Sequence, residues 1–440
     1  MTPDHVGAPV LMPAVFAIAG TVRIAGGVIL ALVTAWWIVL SVRLPIARLS
    51  RLSFGVLVGS LAVVQFNLLG AQILFGWAAI GWLSLLLRDR MPPSLPLFAW
   101  PLAGYAALTL VSSAFSLAPR ASFWDSRQLV LFLMVPVVMR LARGSRAMRA
   151  VDVVLALGAA GALIGVIEFA MLGHNNANNR PMGMLSHYMT YAGVLMLVTC
   201  TAAARLLFYG ERRVWPGVAV PALLAALAMS LTVNAYVGAA VAITTLLALR
   251  HVRLLLVVPV LVVIAVLLAP VPVRERVLSM SPQQDSNRDR LQMLEMGREI
   301  VRDHPVFGVG PNMIGRVYGQ YLQPNPVHTY NPHLHNVPAQ IAAERGVPAL
   351  VMWLAFVVTA LISLIRQLRR GPARSIAGAG VAALVAMLAA GLFEYNFGDS
   401  EFLMLFLGLI TLPFAARLPD ADSPSAVPIA ATPAVAGQTR

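Results

Sequence analysis

Apolar runs long enough to cross a hydrocarbon core recur along nearly the whole chain, with short arginine-rich linkers between them. They fall at roughly 24–41, 54–69, 71–87, 97–113, 127–142, 150–172 and 187–208. More follow at 215–232, 234–250, 253–270, 348–366, 376–394 and 402–416. A transmembrane helix needs about 20 apolar residues to cover the lipid core. Within lipid every backbone N–H and C=O must be paired inside the segment, so such runs fold as helices. The pattern predicts an all-α polytopic membrane protein with about 12–14 transmembrane helices, and leaves open whether 8–20 crosses. Hydrophobic residues are 59% of the chain and charged residues 11%, with mean hydropathy +0.79. A soluble chain of this length would need far more charge to cover its surface. No internal repeat is visible.

The formal charge of +14 rests on arginine alone, because the sequence contains no lysine. In a soluble protein that balance would suggest nucleic acid. Here the arginines sit in short clusters between apolar runs: Arg43/Arg48/Arg51, Arg88/Arg90, Arg140/Arg143/Arg146/Arg149, Arg205/Arg212/Arg213, Arg250/Arg253 and Arg366/Arg369/Arg370/Arg374. That placement follows the positive-inside pattern and argues against nucleic acid. Putting all of them in the cytoplasm makes the chain alternate consistently through every span. Segments 114–126, 173–186, the turn near 233, 271–347 and 395–401 then face the other side, the periplasm or the exterior. ATP and nucleotide sugars are scarce there, which argues against enzymes that use them directly.

Four regions follow: N-terminal transmembrane helices (1–270), a polar loop expected to be catalytic (271–347), C-terminal transmembrane helices (348–416) and a cytoplasmic tail (417–440). The tail is rich in Ala, Pro, Ser and Thr and is expected to be disordered. The first ten residues lack a basic n-region, so no cleaved signal peptide is expected. Cys200, the single cysteine, lies in an apolar run and is expected to be a small core residue; it excludes an intrachain disulfide.

The loop concentrates the polar chemistry. Asp285-Ser286-Asn287 precedes a helical pattern, with Asp289 three residues after Ser286 in a capping arrangement, and Leu291, Leu294, Arg298 and Val301 recur at helical spacing up to Pro305. Arg288 and Arg290 are thereby expected in the first turn, where the helix dipole already favours anions. They read either as an anion site or as solvated surface arginines and lipid anchors. Phe307-Gly308-Val309-Gly310-Pro311-Asn312 is a turn that shapes the loop and lacks a phosphate-binding fingerprint.

In Asn331-Pro332-His333-Leu334-His335-Asn336, Asn336 is a good N-cap and Pro338 supports a helix through about Arg345, ended by Gly346. His335 then sits just before a helix start, where the dipole is expected to hold its imidazole neutral and able to accept a proton. His333 is a neighbour. A metal site from His328, His333 and His335 is the competing idea, but their spacing matches no zinc pattern. Elsewhere, Arg180 precedes a span opening Met184-Leu185-Ser186-His187-Tyr188, where it serves as an anion ligand or a headgroup anchor. Glu394-Tyr395-Asn396-Phe397-Gly398-Asp399-Ser400-Glu401 brings acids to the ends of spans, where they are costly unless solvated or paired. Asp399 is expected either to orient a loop arginine or histidine or to be exposed at a helix start.

Three elements in order resemble the O-antigen ligase family and its superfamily, which also holds O-antigen polymerases and protein O-oligosaccharyltransferases. They are Arg180-Pro181-x-Gly183 with His187-Tyr188-Met189-Thr190, then Ser286-Asn287-Arg288-Asp289-Arg290-Leu291 with Asp303-His304-Pro305-Val306-Phe307-Gly308-Val309-Gly310-Pro311, and His335-Asn336 followed after nine residues by Gly346. The resemblance covers about Arg180 to Ser400. Val233 stands about where family members usually carry an arginine. The resemblance implies a GT-C-like fold in the bacterial inner membrane. It also implies transfer of O-antigen glycan from undecaprenyl diphosphate to lipid A–core oligosaccharide at the periplasmic face.

On that reading His335 is the general base, and Arg288, with Arg290 and Arg180 as lesser partners, neutralises the departing diphosphate. Asn336, His333, Asp399 and His187 support them, with inversion at the anomeric carbon and no metal or other cofactor. The alternatives are a sister enzyme acting on a glycan chain or a protein hydroxyl, and a transporter or lipid-binding scaffold. Transporters place ionisable residues near the bilayer midplane, whereas these cluster in outer loops.

Overall fold

The computed structural model describes residues 11–89, 94–176, 178–208, 214–278 and 285–420. Its helices are α1 (Leu11–Arg43), α2 (Ile46–Val63), α3 (Leu68–Asp89), α4 (Ala99–Ala114), α5 (Pro119–Ser126), α6 (Met134–Leu141), α7 (Ser145–Met171), α8 (Tyr188–Phe208) and α9 (Val214–Met229). They continue with α10 (Val233–Arg250), α11 (Val257–Leu268), α12 (Val271–Leu278), α13 (Asp285–Asp303), α14 (Ile314–Val317), α15 (Val337–Arg370), α16 (Arg374–Ala390) and α17 (Ser400–Ala415). No strand is present among the described residues. Eight helical segments among the described residues are long and apolar enough to cross a membrane, the one at Pro119–Leu141 running from α5 through α6, and shorter apolar helices at Val218–Met229, Val252–Leu268, Arg374–Ala390 and Ser400–Ala415 accompany them. The chain is an all-α, multi-pass membrane protein. Residues 11–20, whose crossing the sequence left open, belong to α1 and form no separate span. The expected disordered tail lies outside the described residues beyond 420.

Burial ranks the helices. In α8, 78% of the apolar stretch is buried, against 11% in α1, and α11 buries no residue at all. Helices α8, α16 and α17 therefore form the centre, while α1 and α11 turn their apolar faces to lipid. Small residues let α16 sit there: a Cβ at Gly380 would come within 2.8 Å of Leu364, and one at Gly378 within 3.1 Å of Phe208. Close backbone approach is the usual source of packing energy between helices in a membrane.

The segments assigned to opposite sides collect at opposite ends. At one end Arg88 donates to Ser41 O, Arg140 pairs with Asp89, and Arg146 Nη1 donates to Ser50 Oγ at 2.8 Å. Gly144 N there meets Ala415 O at 3.1 Å. At the other end Ser112, Ser116 and Ser122 donate to the carbonyls of Phe307, Val309 and Pro311. Residues from 187–193, 331–335 and 390–399 line one cavity at that end.

The polar loop has its own small core of Met293, Met296, Ile300, Val309, Met313, Ile314, Val317, Tyr318, Leu334 and Ala343. It fixes which face of α13 is buried. Met293, Met296 and Ile300 point inward, whereas Leu291 and Leu294 are exposed. Gly297 sets that rotation, since a Cβ there would press to 2.9 Å from Leu334. The helix also begins at Asp285, before the expected Ser286 cap, which moves Arg290 into the second turn.

Asn336 caps α15 as expected, its Oδ1 accepting from Ala339 N at 2.9 Å. Gly346 then interrupts α15 at φ 82° and ψ 166°. The break leaves the carbonyls of Ala343 and Glu344 without donors one turn ahead, because Val347 N turns to Pro305 O and Pro348 has no N–H. Val309 N and Gly310 N take those two carbonyls at 3.0 and 2.8 Å. Gly308 and Gly310, at φ 65° and 104°, let that turn lie against the helix. The turn after α13 and the glycine after the histidines thus form one hydrogen-bonded unit.

Candidate functional site

At the end of the bundle away from the arginine-bearing turns lies a cavity of about 430 Å³. Its polar lining includes His187 just before α8, Thr190 from α8, Asn234 from α10, His333 and His335 from the loop, and Glu394 from the α16–α17 connection. Asn331, Asn396 and Asp399 complete it. Apolar spans converge behind this lining, so each polar group must find a partner inside the protein or in a ligand.

His335 is the best-defined group. Its Nδ1 lies 3.0 Å from Glu394 Oε2, and its Nε2 lies 3.0 Å from Asn331 Nδ2. The backbone at His335 is left-handed, φ 50°, an unfavourable state for a residue with a Cβ. The capped start of α15 and the loop core on either side hold it there.

The electrostatics correct the expectation of a ring kept neutral by the helix dipole. Burial pushes the imidazole down, but the hydrogen bond and charge of Glu394 outweigh it and leave the pKa above its ordinary value. Arg290 opposes the rise and Asp289 adds to it. Burial likewise pushes Glu394 up, yet contact with His335 holds it below the ordinary carboxylate range. A buried carboxylate at 3.0 Å outweighs partial charges at a helix end. The neighbouring His333 is driven below its ordinary value by burial, and its buried Nδ1 has no hydrogen-bond partner.

The other predicted residues divide. Asp399 stands at a helix start, the second of its two expected roles: it caps α17 through Phe402 N at 2.9 Å and accepts from Thr190 Oγ1. The orienting carboxylate is Glu394, which the same segment contains. Asn336 caps α15 and donates to Leu392 O at 3.1 Å, tying the histidine segment to the α16–α17 connection. His187 lines the cavity and stacks on Tyr188 with ring centroids 4.5 Å apart. Arg180 lies over the other aromatic neighbour of that stack, 4.4 Å from the Tyr188 ring. Its turn is set by Glu168 Oε2, which accepts from Met182 N and Gly183 N at 2.8 and 2.9 Å.

Burial lowers the guanidinium pKa values of Arg180 and Arg290, the charge of Arg276 lowers both further, and that of Arg290 adds to the effect on Arg180. Arg276 acts on both and was not singled out in the sequence; it follows Val273, which packs with Leu231 and Phe169 beside the start of α10. Arg288 is exposed and Arg290 half-buried. Three arginines close enough for charge to lower the pKa values of Arg180 and Arg290 repel, and a nearby anion would relieve that repulsion. Among the described residues no group of three His, Cys, Asp or Glu is placed to hold a metal ion.

The comparisons fall on this same region. Residues 218–354 match the family model described as O-Antigen ligase. The resemblance to the O-antigen ligase family is shown over those residues. The match runs from α9 through α13 to the first half of α15, so it contains Arg276, Arg288, Arg290, Asn331, His333 and His335. Glu394 and Arg180 lie outside it. The matched domain is that of an O-antigen ligase/polymerase-type family of glycosyltransferases. A search of curated proteins found no match.

Proposed function

We propose that this protein is an O-antigen ligase in the bacterial inner membrane, working at the periplasmic face with residues 271–347 as its catalytic loop. It transfers the glycan of an undecaprenyl diphosphate-linked O-antigen to a hydroxyl of lipid A–core oligosaccharide. The observation that carries this reading is the His335–Glu394 pair opening into a polar cavity, with the half-buried Arg290 close enough to act on the imidazole.

His335 Nε2 takes the proton of the acceptor hydroxyl as that oxygen bonds to the anomeric carbon. The bond from that carbon to the diphosphate oxygen breaks, and its electron pair leaves with the diphosphate. Attack opposite the leaving group inverts the anomeric centre. Glu394 holds Nδ1–H and stabilises the imidazolium formed when Nε2 gains the proton. Arg290 and Arg180, joined by Arg276, meet the developing diphosphate charge, with Arg288 further out at the exposed start of α13. Guanidinium groups suit this because they stay charged and bind phosphate oxygens bidentately. Arg276 then occupies the electrostatic place that Val233 leaves empty. Asn336 and His333 shape the base, and Asp399 with His187 lines the acceptor side.

The test is a purified reaction of the protein with lipid-linked glycan and lipid A–core, without nucleotide. Glycosylated lipid A–core should form. Transfer only onto a glycan chain or a protein hydroxyl would reassign the enzyme to a sister activity, and transport without transfer would overturn the enzyme.

A further inference from the structure

The side-chain amide of Asn331 is held in one orientation by its own contacts. Its Oδ1 accepts from the backbone N of His333 at 3.1 Å, so its Nδ2 is the end facing His335 Nε2 at 3.0 Å. An amide Nδ2 can only donate, and the ring nitrogen opposite must therefore offer its lone pair. That places the proton of the neutral ring on Nδ1, where Glu394 accepts it at 3.0 Å. Either contact alone would leave the tautomer open; the two together leave one state.

We infer that Asn331 is a positioning residue that keeps the basic lone pair of His335 on Nε2 and covers it until an acceptor hydroxyl takes the amide's place. The inference rests on the reading of His335 as the base, and deepens it by naming what controls that base. Asn331 lines the same cavity as His335, so a sugar hydroxyl entering there meets the amide first. The hydroxyl then donates to Nε2 as the amide did, with the difference that its proton can be transferred. Asn331 also opposes protonation, because an imidazolium would set Nε2–H against Nδ2–H. Glu394 pulls the other way. The charged and titratable groups around the ring are Glu394 from the α16–α17 connection, Arg290 and Asp289 from α13, and His333 from its own loop. His187 just before α8 and Asp399 at the start of α17 share the cavity.

The test uses imidazole nitrogen NMR of the purified full-length protein in detergent, with the His335 resonances assigned by their loss in His335→Ala. Wild-type His335, above its pKa, should show the Nδ1–H tautomer; an Nε2–H tautomer overturns the inference without any variant. In Asn331→Asp, close to isosteric, a carboxylate facing Nε2 should favour the imidazolium. Charge–charge contact at this range moves a pKa by roughly one to three units. The acidic limb of the rate profile should therefore move up by about that much, while Asn331→Ser should leave the limb within about half of that displacement. An unmoved limb in Asn331→Asp, with the fold intact, overturns the inference. If the tautomer is as expected but His335→Ala still transfers glycan, the assignment of the base fails while the role of Asn331 toward the ring stands.

Discussion

His335 Nδ1 and Glu394 Oε2, 59 residues apart in the chain, meet at 3.0 Å. The contact couples the loop before α15 to the connection after α16 and gives the imidazole an orientation and a raised pKa at once. A base of this kind works in its neutral form, so its activity should rise with pH through a value above the ordinary 6.5 of histidine.

Replacing Glu394 with Gln tests the sign. Glu394 supplies both the leading upward influences on the His335 pKa, and burial with Arg290 would remain to push it down. The acidic limb of the rate profile should therefore shift to lower pH in Glu394→Gln, while the plateau rate falls because the imidazolium has lost its partner. A limb moving upward, or a plateau unchanged, would show that Glu394 does not act through His335.

His335→Ala should cost about 10²- to 10⁴-fold in turnover, the range for loss of a general base. His333→Ala should cost much less. Turnover of purified variants with equal detergent-extracted yield provides the comparison, and the opposite ranking would move the base to His333.

Among the arginines the half-buried ones should matter most. Arg290→Lys and Arg180→Lys should each lower turnover more than Arg288→Lys, because a point charge cannot replace a bidentate fork in a half-buried place. Arg276→Ala should impair transfer as well, with the effect read on the lipid-linked donor. Equal effects at all four positions would point to bulk surface charge instead.

Gly346 sits at φ 82°, and a Cβ there would stand 2.0 Å from Val306 O. Gly346→Ala should therefore destabilise the protein by about 1–3 kcal/mol from the backbone alone, with the contact adding to it. A lowered melting temperature of the purified protein should report it; an unchanged one would mean the junction with residues 305–310 is not as described.

Cys200 is fully buried, which gives a quiet background for thiol labelling. Gln320→Cys should react with a membrane-impermeant reagent from the periplasmic side, and Arg370→Cys should not. The reverse pattern would invert the topology and remove the active-site proposal with it.

The sequence made the spans legible because lipid forces hydrophobicity and hydrogen bonding to be settled within each segment. Asn336 as a cap and Gly346 as a helix break were readable for the same reason, since both act within a few residues. Contacts that depend on how helices assemble were not. Glu394 and Asp399 are two acids of one short segment, and only the packing of α16 against α15 decides which reaches His335. The buried face of α13 turned on Gly297 meeting Leu334, a contact with no periodic signal. Arg276 gave no signal either, because its relation to Arg180 and Arg290 is purely spatial.

The left-handed backbone at His335 sets robustness against turnover at a single position. Glycine or asparagine would occupy φ 50° at lower cost than histidine. A library screened only for heat resistance should therefore drift toward Gly or Asn at residue 335 and come out sturdier and inactive. Keeping histidine there is a cost in stability that only its chemistry can justify.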